Sequence, residues 1–179
     1  MQEAGTLVLV VGPSGAGKDT LLAHARRALA GDARFRFVRR VITRPAEAGG
    51  EEHDAVNAAE FARRRFALSW QAHGLSYGVP EDVADDLRAG RVVVANVSRA
   101  VVAEAALRFP VRLIEVTAPA SVLAARLAAR GREAAGDIAA RLARRVALPP
   151  GVRVARVVND AGLEDGVRAF VDALLGCTR

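Results

Sequence analysis

The stretch TLVLVVGPSGAGKDT, residues 6–20, limits the possible folds more than any other part of the chain. Its first six residues are an unbroken apolar run rich in branched side chains, as expected of a strand buried on both faces of a parallel sheet. Gly12, Gly17 and Lys18 then meet the spacing G-x-x-x-x-G-K, in a loop that leads from this strand into a helix. Gly12, Gly15 and Gly17 let backbone N–H groups turn toward an anion with no Cβ in the way, and the helix presents its positive end to the same anion. Gly12, Pro13, Ser14, Gly15, Ala16, Gly17, Lys18, Asp19 and Thr20 therefore read as a cradle for nucleotide phosphates, those of ATP. One position departs. Asp19 stands where a magnesium-binding hydroxyl is expected, and the hydroxyl arrives one place late at Thr20.

Lys18 is the chain's only lysine, against twenty-five arginines. In a sequence that uses arginine for positive charge almost everywhere, the surviving ammonium marks a place that needs a compact point charge on a flexible stem. The formal charge of +6 raises the question of nucleic acid, but only 4% of residues are aromatic and no nucleic-acid module is recognisable. An anionic small molecule is the expected partner instead. No apolar run approaches the roughly 20 residues of a membrane span. The N-terminus lacks signal-peptide features, and the lone Cys177 supports neither a disulfide framework nor a metal cluster. A cytoplasmic protein of one domain is expected, with no membrane partner and with the oligomeric state, a homodimer included, left open.

Along the chain, strand-like runs at 6–11, 35–42, 66–70, 75–79, 91–97, 111–117 and 152–158 alternate with amphipathic segments at 19–30, 80–90, 98–109, 121–130, 137–146 and 162–175. A short helix through Arg64 is capped by Asn57, and His73-Gly74 forms a turn. Such alternation implies crossover connections, hence an α/β fold with a mainly parallel sheet of five strands and helices on both faces.

Two further segments carry chemistry. RRVITRPAEAGGEEH (39–53) with SWQAHGLSYGV (69–79), taken with the phosphate loop, resembles the acceptor region of the guanylate kinase family. The resemblance implies that Arg44 and Tyr77 hold an acceptor phosphate, Arg44 by a bidentate grip and Tyr77 through its hydroxyl. The departures are specific. The second loop arginine of that family is Glu47 here, the late tyrosine has no counterpart near Ala55 and Val56, and the guanine-reading carboxylate is Ser69. A site built to hydrogen-bond guanine loses its main reader by that change, so the acceptor is expected to lack the base.

GPSG-x-GKD, the ITR loop ending in GxExH, ALSWxAxGLxYGV, N-x-SRA and RGRE…I-x-ARLAR, taken in order, resemble the narrower ribose 1,5-bisphosphate phosphokinase family of phosphonate degradation. That resemblance implies ATP-dependent conversion of a sugar phosphate, ribose 1,5-bisphosphate, to 5-phosphoribosyl 1-diphosphate. It also places the acceptor region at about 35–80 and an arginine-rich lid at about 126–145, with Arg130 and Arg141 as the catalytic arginines beside Lys18. A nucleoside monophosphate kinase and a non-catalytic binding module of the same fold are the alternatives.

Asn96, Ser98 and Arg99 follow a buried strand at the end where open α/β sheets bind ligands, and are expected to read the sugar or its phosphates. The other reading makes Ser98 a helix N-cap and Arg99 a solvated charge. Asn159, at the end of the last strand, is expected either to contact the nucleotide base or to make a turn. Related kinases carry a magnesium-organising acid where Asn96 stands. Asp19 is therefore expected to hold Mg2+ through water, with Thr20 on the α-phosphate.

Overall fold

The structure, a computed structural model, describes residues 4–130 and 147–178. The expected helix at 137–146, most of the expected lid and Arg141 lie outside these residues. Strands β1 (Thr6–Val11), β2 (Phe35–Phe37), β7 (Val92–Asn96), β8 (Val111–Thr117) and β9 (Arg153–Val158) form one parallel sheet in the order β2-β7-β1-β8-β9. The central strands β7, β1 and β8 carry the continuous apolar runs, because helices cover both their faces. One core layer sets Val8, Val10, Ile114 and Val116 against α1 (Lys18–Ala28), α5 (Ala120–Ala129) and α6 (Leu163–Leu175). The opposite layer sets Leu7, Leu9, Val93 and Leu113 against α3 (Val83–Arg88) and α4 (Val102–Arg108). Among the described residues no helix is long and apolar enough to cross a membrane.

Between β2 and β7 the chain builds a second sheet from β3 (Val41–Ile42), β4 (Asp54–Ala55), β5 (Phe66–Ala72) and β6 (Leu75–Pro80). Its strand order is β4-β3-β6-β5, and α2 (Ala58–Arg63) connects β4 to β5. The β5–β6 turn has His73 at φ 53° and Gly74 at φ 72°, the positive pair a two-residue hairpin requires. Asn57 closes the start of α2 with a reciprocal capping box to Glu60. The apolar side of the hairpin, Leu68 and Val79, joins the second core layer, which fixes this sheet against the main one.

Two expectations need correction. The run 35–42 is not one strand. Val38 still donates its amide to Val94, then the chain leaves the main sheet and Val41–Ile42 pairs with Tyr77–Gly78 in the second one. The cause is the Arg39-Arg40 pair. Arg40 turns inward onto Glu51 and Arg39 donates to the His53 carbonyl, so alternation breaks at this corner. The helix expected over 98–109 begins as a tighter turn at Arg99–Val101 before α4.

Candidate active site

The glycine loop joins β1 to α1 at the carboxyl end of the main sheet. At Gly12 a Cβ would lie 2.0 Å from the Val116 carbonyl oxygen, and at Gly17, φ 88°, one would lie 2.5 Å from Asn159 Nδ2. Neither position admits another residue without moving β8 or the exit of β9. A loop that turns its amides inward sends its carbonyls outward, and these need partners. Lys18 Nζ donates to Gly12 O (2.6 Å) and Pro13 O (3.1 Å). Arg126 donates to Gly15 O (3.1 Å), and Asn159 Nδ2 to Ala16 O (2.8 Å). Arg126 also takes the Asn159 carbonyl at 2.8 Å. The loop is thus braced from behind by one residue of α5 and one at the β9 exit. Burial lowers the Lys18 pKa from 10.5 to about 8, with Asp19 pulling the other way.

In front of the loop, three polar residues from three separate segments converge. Asn96, at the end of β7 and 9% exposed, donates Nδ2 to Asp19 Oδ1 at 2.9 Å and to Glu51 Oε2 at 3.3 Å. Glu51 is also paired with Arg40. Burial pushes the Glu51 carboxyl above its ordinary range, and Arg40 pulls it back. Arg40 lies over the Tyr77 ring (5.2 Å) and the Trp70 ring (5.9 Å), which stack on each other at 5.5 Å. Two carboxylates around one amide are hard oxygen donors of the kind Mg2+ takes while keeping several waters. No group of three or more His, Cys, Asp or Glu that could hold a metal ion lies among the described residues.

A cleft of about 1130 Å³ opens beside this cluster, between α1 and the loop of the second sheet. Asp19, Thr20, Arg40, Arg44, Glu51 and Arg130 face it at the loop end. Arg44 is held by its own loop. Its carbonyl accepts from buried His53 Nε2 at 2.9 Å, and its Nη2 lies 3.4 Å from His53 Nδ1. Among the described residues its Nε is buried without a hydrogen-bond partner, while Arg44 itself lines the cleft.

The structure therefore brings Lys18, Asp19, Thr20, Arg44, Asn96 and Arg130 to one place, with Tyr77 linked through Arg40. It places four expected site residues elsewhere. Ser69 pairs with Gly78 while Trp70 pairs with Tyr77, so alternation turns Ser69 to the hairpin's other face, where it is exposed. Ser98 caps the turn after β7 by accepting from the Ala100 amide. Arg99 pairs with Glu115, which also takes Arg156 Nε at 3.0 Å. Asn159 is 8% exposed and committed to Ala16, under the loop and not in the cleft. Two residues of the site escaped sequence reasoning, and so did Glu115, which lies outside it. Arg40 and Glu51 lay inside a segment already singled out, but only the tertiary fold shows that they meet. Glu115 had a visible signal, an acid in the middle of the buried strand VRLIEVT.

No protein-family profile matches the chain. Its fold is that of a guanylate kinase from Anaplasma phagocytophilum, with a TM-score of 0.67 over 98% of this chain and 87% of that one, at 18% identity. Curated relatives lie much nearer in sequence. The ribose 1,5-bisphosphate phosphokinase PhnN of Acidiphilium cryptum is 59% identical over 138 residues, 77% of this chain and 76% of that protein. The protein of the same name from Methylobacterium radiotolerans is 55% identical over 141 residues, 75% of this chain and 78% of that one. At that identity, over three quarters of its length, the chain belongs to the ribose 1,5-bisphosphate phosphokinase family.

Proposed function

We propose that the chain transfers the γ-phosphoryl group of ATP to the 1-phosphate of ribose 1,5-bisphosphate, giving 5-phosphoribosyl 1-diphosphate and ADP, as a cytoplasmic step of phosphonate breakdown. The observation that carries this is the meeting of the braced glycine loop and Lys18 with a cleft lined by Arg40, Arg44 and Arg130. The loop amides and Lys18 hold the β- and γ-phosphates, with Thr20 at the start of α1 toward the α-phosphate. Arg44, with Tyr77 beneath Arg40, positions the acceptor phosphate. An ionised oxygen of that phosphate attacks the γ-phosphorus, and the bond to the β–γ bridging oxygen breaks with its electron pair leaving on ADP. No general base is needed, because the nucleophile is already ionised. Positioning and charge neutralisation do the work, and Lys18, Arg130 and Arg141 supply the positive charge. Asp19 and Glu51, spaced by Asn96, are the residues that would hold Mg2+, which would supply positive charge against the phosphates. Residues 35–80 serve as the acceptor region and 126–145 as the lid of a single kinase domain.

The test is a product analysis. The protein is incubated with ATP and, separately, ribose 1,5-bisphosphate, ribose 1-phosphate, ribose 5-phosphate and GMP, and products are identified by phosphorus NMR. A diphosphate on carbon 1 of the bisphosphate is the expected result. Faster turnover of GMP overturns the reading in favour of a nucleotide kinase, and absence of ATP consumption makes the domain a binding module.

A further inference from the structure

The cleft does not end at the reacting centre. It continues along α1, where Asp19, Ala23, Arg26 and Arg27 face it. These recur at the helical period, so they form one stripe apart from the buried Leu21 and Ala25. Ala23 leaves the floor open between Asp19 and the two arginines. Asp19 and Arg26 are about 10 Å apart along the helix axis, and helical side chains lean back toward the N-terminus, which shortens the gap at the guanidinium. Across the cleft Arg26 Nη1 meets Glu52 Oε2 at 3.3 Å, with the two side chains 53% and 70% exposed. Such an exposed pair is weak and exchangeable. The acceptor of the proposed reaction carries a second phosphate, at the far end of one sugar ring from the first, and the inner arginines are taken up by the reacting end.

We propose that Arg26, backed by Arg27, is the subsite for the acceptor's non-reacting phosphate, and that Glu52 is a displaceable counter-charge which that phosphate replaces. The inference rests on the function proposed above. It makes Arg26 the residue that separates a bisphosphate from a monophosphate. Another role for the same charges exists: both sit in the last turn of α1, where cations favour the helix dipole. The Arg26–Glu52 pair also ties α1 to the acceptor loop, and a purely structural tie predicts that breaking it from either side has the same effect.

The experiment uses that difference in sign. KM for ribose 1,5-bisphosphate and KM for ATP are measured, with the Ki of ribose 1-phosphate as a competitor lacking the second phosphate. Arg26→Ala raises KM for the bisphosphate roughly ten- to a hundredfold, the worth of a charged hydrogen bond. The Ki of the monophosphate and KM for ATP stay within about twofold, as for a group that touches neither. Glu52→Gln frees Arg26 and lowers KM for the bisphosphate about two- to fivefold, again without effect on the monophosphate. Movement of both variants in the same direction, equal effects on bisphosphate and monophosphate, or no effect at all overturns the subsite. If the wild-type protein does not phosphorylate the bisphosphate, the proposed function fails first. If it does and the variants do not separate the two ligands, only this inference fails.

Discussion

Replacing Asn159 by aspartate changes one NH2 to an oxygen and leaves the shape of the side chain alone. Room for anything else is absent, since a Cβ on Gly17 would lie 2.5 Å from Nδ2 and one on Gly166 would lie 2.4 Å from Oδ1. The replaced group is the donor to Ala16 O at 2.8 Å, so an ionised carboxylate would face a carbonyl oxygen at that distance in a site only 8% exposed. A protonated carboxyl, by contrast, donates to Ala16 and restores the bond. The new carboxyl of the variant N159D must therefore titrate above its unfolded value of about 3.9. Full isolation raises a buried carboxyl by about three to five units. Arg126, which grips the main-chain carbonyl of the same residue, opposes that rise, and setting a buried charge against the Ala16 carbonyl costs about 3 kcal/mol, the upper end for an unsatisfied buried group.

The sign follows from proton counting. Between the two pKa values the folded variant binds more protons than the unfolded one, so its stability falls as pH rises through that window. N159D should be close to wild type near pH 4 and lose about 3 kcal/mol by pH 8, a drop in Tm of roughly 6–12 °C for a domain of this size. Urea unfolding of both proteins from pH 4 to pH 8 measures it. Equal stability at pH 8 with a raised KM for ATP would refute the brace and return Asn159 to the nucleotide base.

Lys18, with its pKa near 8 in the free protein, should regain full charge against the triphosphate, so ATP binding at pH 8 takes up about half a proton. Calorimetry in buffers of different ionisation enthalpy reads this, and uptake persisting in Lys18→Ala contradicts it. Burial pushes the Glu115 carboxyl up, but its pairings with Arg156 and Arg99 outweigh that and hold it below the usual range. Glu115→Gln should therefore cost about 1–3 kcal/mol at neutral pH, with the deficit shrinking as pH falls from about 4.3, where the unfolded carboxyl takes up its proton, through the lower range in which the folded one does. A deficit that is constant with pH speaks against the ion pairs as its source.

The main sheet was legible because its signals are local. An apolar run such as VVVA in β7 can only be a strand covered on both sides, and the glycine loop announces its own geometry. Arg44 and Arg130 could be singled out for the same reason, since each stands at a fixed offset from a recognisable turn or helix end, and both line the cleft. For Ser98 and Arg99 the sequence left two readings open, because position at a strand's carboxyl end does not tell a ligand contact from a cap or an internal ion pair. The structure shows the Ser98 cap and pairs Arg99 with Glu115. The deciding partner, Glu115, lies on another strand, beside Val11 and Arg156 in register. Asn159 was open in the same way. Whether an amide faces the cleft or the back of the loop depends on Gly166, on a different helix.

The Asp19 anomaly has the same character, and the structure gives it a spatial meaning. Asn96 Nδ2 and Asp19 Oδ1 are 2.9 Å apart, so an acid at 96 and an acid at 19 serve nearly the same point from two segments. A carboxylate at both positions, with Glu51 beside them, would crowd three negative charges around a group only 9% exposed. An amide at 96 avoids that crowding and donates to both carboxylates. Asn96→Asp alone should lose about 2–4 kcal/mol of stability in chelator and recover part of it with Mg2+, which binds the folded state. Asp19→Ser alone should raise the Mg2+ concentration needed for half-maximal turnover. The double variant moves the acid from one segment to the other, and its stability and Mg2+ requirement should lie closer to wild type than either single change predicts, by about 1–3 kcal/mol of coupling. Thermal unfolding with and without Mg2+, and Mg2+ titration of turnover, measure both. Additive effects of the two substitutions would mean that 19 and 96 act independently, and that the late hydroxyl at Thr20 has nothing to do with the missing acid on β7.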